Sequence, residues 1–363
     1  MSAVVLLAVQ FILMEAILRL FSSQITYSKA LQRFLVDGKT EPVLPFFEPS
    51  DVLPFTITPH SQADIFDSFY GTHFRIRLNG AGFRTRELTP RQSNAITRIA
   101  ILGDSTTFGM GVDENDTYST MLESSLNKEV PGNFEVFNLG VPGYGPADYY
   151  VLANMYLPSL QPDIVITSFP APNDLIDLIQ SHTELGGDGL PVRVKRAGAY
   201  IEDHRLHTDE PEARIYRLPI IRDTYLGIFL GPRIIRGIRY LAKGMKRTGE
   251  VTPEISLDRL FEGINKVSAD IGAKTIWLIY PAERNVDSSD DLPFVSAASR
   301  VKDSVSVNMF PVFRSRREEP GTFFVDGSHF SRKGSEVIVA SLVSEIKKLE
   351  LRKVLPTRAA NAF

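Results

Sequence analysis

The sequence contains no cysteine. Disulfides, thiolate metal sites and a cysteine nucleophile are therefore excluded. It also lacks a charge bias, with 40 Lys and Arg against 43 Asp and Glu for a net charge of −3. So small a charge gives no electrostatic case for a nucleic-acid partner. There are no internal repeats and no low-complexity tract. What remains is ordinary for a globular chain: 363 residues, 43% hydrophobic and 23% charged, enough for one domain with additions.

The only long apolar run is at the start, "MSAVVLLAVQFILMEAILRLF" over 1–21. Its length approaches the roughly 20 residues of a membrane span. Gln10, Glu15 and Arg19 interrupt it. Glu15 and Arg19 are four apart and can pair on a helix, and Arg19 lies close enough to one end to reach headgroups. No basic n-region and no small-residue cleavage site mark a signal peptide. The expectation is a membrane anchor over 1–21, with the main domain extracytoplasmic. Lys29, Arg33 and Lys39 follow the segment and point the other way under the positive-inside rule.

Residues 22–95 read as an irregular extension with prolines at 42, 45, 49, 54, 59 and 90. Within it, "FRIRLNGAGFRTRE" (74–87) alternates and then turns at Asn79-Gly80, which predicts a hairpin in an N-terminal β-arm. From residue 96 apolar runs alternate with helical stretches. Strands are expected at 98–103, 134–140, 163–169 and 274–281. Helices are expected at 117–129, 146–158, 252–272 (capped by Thr252) and 331–350 (capped by Ser331). Continuous apolar strands separated by helices indicate a parallel sheet covered on both faces. The domain is set at 96–350, with an insertion over about 180–252 and a tail at 351–363.

Ligands of such sheets sit at the carboxyl ends of the strands. The first strand ends at Gly103-Asp104-Ser105, and the second at "NLGVPGYG" (138–145), which contains Gly143. The third ends at "PAPND" (170–174), and "DGSH" (326–329) precedes the last helix. A hydroxyl, an unhindered backbone, an amide and an acid with a histidine thus fall on one rim. His329 is the one histidine of six with an aspartate three residues before it. An alcohol needs a base to take its proton, and the base needs a partner on its other ring nitrogen.

These four blocks resemble the SGNH (GDSL-type) hydrolases. The resemblance covers roughly 96–350 and implies a three-layer α/β/α flavodoxin-like fold with a parallel sheet. It implies Ser105 as nucleophile, His329 as base and Asp326 as the base's partner. It also implies an oxyanion hole from the N–H groups of Ser105 and Gly143 and the side-chain amide of Asn173. Losing one such donor typically costs about 2.7–4 kcal/mol of transition-state stabilisation. Ala171 stands where the third block usually has glycine. Asp104 is expected to bond backbone in the turn. The block is not the G-x-S-x-G elbow, because Thr107 occupies its second glycine position.

The implied activity is ester hydrolysis, removing acyl groups such as acetate from a carbohydrate or lipid ester. Acyl transfer to an envelope polysaccharide and a non-catalytic binding module on the same fold are the alternatives. No cofactor and no metal are expected; His204 and His207, beside Asp203 and Asp209, read as a solvated loop. The apolar, basic stretch 214–247 of the insertion reads either as a helical hairpin packed on the domain or as a lid or membrane-surface helix.

Overall fold

The computed structural model describes residues 3–20, 46–67, 72–129, 133–196, 199–202, 204–208, 255–316 and 321–359. These fall into two compact units. Helix α1 (Ala3–Leu20) and a hairpin of β10 (Ala199–Glu202) with β11 (Arg205–Thr208) belong to the first. The sheet and its helices belong to the second.

The helix expected at the N-terminus is present, but its reading as a membrane span finds no support. Among the described residues no helix is long and apolar enough to cross a membrane. Gln10 and Glu15 interrupt the apolar sequence of α1.

The second unit is built on five parallel strands. They are β5 (Thr97–Gly103), β6 (Phe134–Gly140), β7 (Ile164–Pro170), β12 (Lys274–Tyr280) and β13 (Ser304–Asn308), ordered β13-β12-β7-β5-β6. Numbered along the chain within this sheet the order is 2-1-3-4-5, the flavodoxin-like arrangement, whose switch point lies between the first and third strands. Alternate residues face opposite layers. Ile99, Ile101, Ile164, Ile166, Ile276 and Leu278 point to one core with Leu122, Ile338 and Leu342. These last come from α3 (Tyr118–Glu129) and α9 (Arg332–Ala359), which pack on each other. On the other face, Phe169 stacks on Phe261 at 4.7 Å and Phe261 meets Trp277 at 4.4 Å. Phe261 belongs to α6 (Leu257–Asp270), which packs against α4 (Pro146–Leu160). The connections after β12 and β13 carry α7 (Leu292–Arg300) and α8 (Phe310–Ser315).

Three sequence expectations need correction. The edge strand β13 was not expected at all. Helix α6 is capped by Ser256, whose Oγ accepts from Arg259 N; Thr252 lies outside the described residues. The strand at Thr72–Arg77 (β4) pairs with Gln62–Asp67 (β3) upstream, not with residues 83–87. The turn at Asn79 does form, with its Oδ1 accepting from Ala81 and Phe83 N. The return strand is lost because Arg84 turns inward, donating to the carbonyls of Arg75, Gly109 and Val112. A small pair, β1 (Phe47–Glu48) with β2 (Thr56–Ile57), completes the N-terminal arm.

The start of the insertion is a β-hairpin of β8 (Ser181–Leu185) and β9 (Pro191–Arg196). The stretch 214–247 lies outside the described residues.

Candidate active site

Strand β5 ends at Gly103, where only glycine fits. A Cβ there would stand 2.1 Å from Thr107 Oγ1 and 3.1 Å from Ser168 Cβ. The chain then turns directly into the short helix α2 (Ser105–Phe108). Asp104 caps it, its Oδ1 accepting from Thr106 N at 2.9 Å. Ser105 is thereby the first residue of α2, where the helix offers its own N–H no acceptor. Across 101–110 Ser105 is the one residue that is not buried. It stands at the sheet's switch point, at the tip of the first strand.

The histidine arrives from the loop before α9. Asp326 Oδ1 accepts from the backbone N–H of Ser328 and of His329, at 2.9 and 2.8 Å. Its Oδ2 lies 2.5 Å from His329 Nδ1. Val325 N donates to His329 O at 2.8 Å, closing the loop. Phe330 anchors the next position against Tyr280 and Phe313. The other ring nitrogen, Nε2, is 2.8 Å from Ser105 Oγ. The His329 ring is largely buried. The structure thus joins Ser105, His329 and Asp326 in one hydrogen-bonded chain.

The electrostatics follow from burial. Desolvation raises Asp326, but its bonds to the His329 ring and to two backbone N–H groups outweigh that and hold the carboxyl below its usual range. Asp104 goes the other way. Burial pushes it up, against the pull of His329 and the Thr106 and Thr107 N–H groups. Its side chain touches Ser105 Oγ only at 3.4 Å, so its main role is the cap.

Gly143 sits in the turn Val141-Pro142-Gly143-Tyr144, closed by Tyr144 N donating to Val141 O at 3.2 Å. Its φ is +83°, and proline followed by a left-handed residue is the type II pattern that glycine satisfies. A Cβ would lie 3.3 Å from the Phe55 ring and 3.4 Å from Arg196 Nη1.

Asn173 belongs to a helix and not to a loop at the strand's end. It lies in the first turn of α5 (Ala171–Gln180), which begins directly after β7. Ala171, in place of the block's glycine, is a fully buried helical residue. The Asn173 side chain is exposed, and its Nδ2 donates to Asp177 Oδ2 at 2.7 Å. Asp177 Oδ1 in turn accepts from Arg196 Nη2 at 2.9 Å. Asp174 turns inward and accepts from the Tyr149 hydroxyl at 3.0 Å. Burial, with Asp104 and Asp177 nearby, holds its pKa well above the carboxylate range. Sequence reasoning passed over Asp177 and Arg196. The spacing of four between Asn173 and Asp177 was a signal for the first; nothing local pointed to Arg196. Among the described residues no cluster of three or more His, Asp or Glu side chains could hold a metal ion.

Residues 101–276 match the model of the GDSL-like Lipase/Acylhydrolase family. No curated protein matches the chain. Among solved structures, it is similar to a two-domain esterase active on acetylated mannans, at 15% identity and TM-score 0.41. The alignment covers 70% of this chain and 49% of that one, so the chain spans about half the length of that esterase. It is also similar to a lipase/acylhydrolase from Enterococcus faecalis, at 17% identity and TM-score 0.39, covering 70% and 96%. A third is an acetyl xylan esterase, AlAXEase, at 10% identity and TM-score 0.39, covering 69% and 99%. The matching stretch runs from the first strand of the 2-1-3-4-5 parallel sheet to its fourth, so this part of the α/β unit is similar to the GDSL-like lipase/acylhydrolase family.

Proposed function

We propose that the protein is a serine ester hydrolase. Ser105 attacks the ester carbonyl, and His329 takes the hydroxyl proton through Nε2. Asp326 holds the ring with Nδ1 protonated and stabilises the imidazolium that forms. The tetrahedral oxyanion is received by the N–H groups of Ser105 and Gly143 and by the side-chain amide of Asn173. His329 then returns its proton to the leaving alcohol, and water repeats the sequence on the acyl-serine. The observation that carries this reading is the 2.8 Å contact between Ser105 Oγ and His329 Nε2, with Asp326 on the far nitrogen.

Asn173 suits its part because an amide nitrogen has two hydrogens. One is bound by Asp177, and the second is available to the oxyanion. The substrate in this reading is an acyl group, such as acetate, on a carbohydrate or lipid ester. An envelope carbohydrate would place the domain outside the cytoplasm. The test is turnover of p-nitrophenyl esters of rising chain length and of O-acetylated glycans by wild type and Ser105→Ala. Ester turnover that survives in Ser105→Ala rejects the assignment. Release of free acid, as opposed to acylated acceptor, separates hydrolysis from transfer.

A further inference from the structure

We infer that Asp177, clamped by Arg196, is a positioning residue that fixes which end of the Asn173 amide faces the reacting carbonyl. The inference rests on the proposed function, in which Asn173 is an oxyanion donor.

A primary amide has two unlike ends of nearly equal shape. Turned one way it offers N–H to a developing negative charge; turned the other way it offers a carbonyl oxygen, which repels that charge. The Asn173 side chain is exposed on the first turn of α5, where little packing can choose between the two. An ionised carboxylate can choose, because it only accepts hydrogen bonds. Asp177 Oδ2 takes the Asn173 nitrogen at 2.7 Å, which fixes the same nitrogen as the donor for substrate.

That selection requires Asp177 to stay ionised. Its surroundings oppose this: burial and the Asp104 carboxylate both work against the charge. Arg196 works for it, with Nη2 at 2.9 Å from Oδ1. Both side chains of this pair are less than one-fifth exposed. An Asn–Asp contact at i,i+4 whose only effect was to support the helix would lie in solvent and need no arginine from another element. Here the arginine comes from β9 of the insertion. Its other terminal nitrogen lies 3.4 Å from where a Cβ on Gly143 would stand. One guanidinium therefore holds the carboxylate that binds Asn173 and lies beside the turn that carries Gly143.

The test is a double-mutant cycle on the full chain, read as kcat and KM for p-nitrophenyl acetate, with thermal melts as the folding control. Asn173→Ala is expected to lower kcat about 10²–10³-fold. Asp177→Asn, which pairs with either end of the amide, is expected to lower kcat roughly 10–100-fold, the scale seen when an orienting partner of an active group is removed. KM stays unchanged. In the Asn173→Ala background Asp177→Asn is expected to have no further effect, since the group it orients is gone. Losses that multiply, or a kcat indifferent to Asp177, would overturn the inference. Should Asp177→Asn fail to fold, Arg196→Lys replaces it in the same cycle: a loss confined to the Asn173 background supports the inference, and a multiplicative or absent loss overturns it. Activity that survives in Ser105→Ala would reject the proposed function itself. A dead Ser105→Ala with an indifferent Asp177 rejects only the positioning role.

Discussion

His329 Nε2 stands 2.8 Å from Ser105 Oγ, although 224 residues separate the two in the chain. The contact exists because the first strand of the sheet and the loop before the last helix end on the same rim. Replacing Ser105 by Ala removes the hydroxyl and little else, since this residue caps nothing and is partly exposed. The expected result is a fall in kcat for p-nitrophenyl acetate of at least about 10³-fold. The melting temperature should match wild type.

Asp326→Asn separates geometry from charge. The amide oxygen can still accept from the Ser328 and His329 N–H groups, so the loop should keep its shape. The amide nitrogen, however, can face His329 Nδ1 only as a donor, which favours the wrong tautomer. A loss of activity up to about 10⁴-fold is expected. Steady-state kinetics beside a thermal melt checks it; a variant that loses its fold together with its activity would contradict the prediction.

Gly143→Ala forces a Cβ onto a residue at φ +83° and brings it against Phe55 and Arg196. The left-handed conformation alone should cost about 1–2 kcal/mol of stability. Any relaxation of the turn moves the N–H expected to meet the oxyanion. The variant should therefore lose kcat beyond what its melting temperature explains, with KM little changed.

Stability should also fall as pH rises from about 4 to 7 by the contribution of two buried carboxyls. Burial pushes Asp148 up to about 7, against the pull of Arg196. Burial likewise raises Asp177 to about 6. Both folded values exceed the usual 3.8, so the folded state keeps protons that the unfolded chain releases in this window. Ionising them costs folding free energy. Asp148→Asn can still accept from Gly145 N–H, the partner of Asp148 Oδ2, and avoids that cost. It should stabilise the protein at pH 8 by on the order of 1–3 kcal/mol and make no difference near pH 4. Denaturant unfolding at the two pH values decides it.

The central strands were legible because parallel strands buried on both faces leave nearly unbroken apolar runs, such as Ile99–Leu102 and Ile164–Ile166. Strand β13 left no such run. "SVSVN" alternates, and only Val307 is buried, so it reads as a polar connection. The hairpin at 74–87 was misread because an alternating pattern does not reveal that Arg84 will be buried and bonded to four carbonyls, Phe108's included. Asp326 and His329 could be paired on paper because three residues of one turn join them. The Arg196–Asp177 contact could not: its partners lie on a helix and on a strand of the insertion, and tertiary packing alone brings them together.

Asp326 binds its own loop with one oxygen and the imidazole with the other. Carboxylate and imidazole are therefore joined within a single tetrapeptide, independently of the distant serine. Any displacement of this loop would carry both together, stretching the contact to the hydroxyl while leaving the ring aligned with its carboxylate. Under the proposed function, engaging Ser105 is then a matter of seating one locally bonded piece, whose internal hydrogen bonds do not involve the serine.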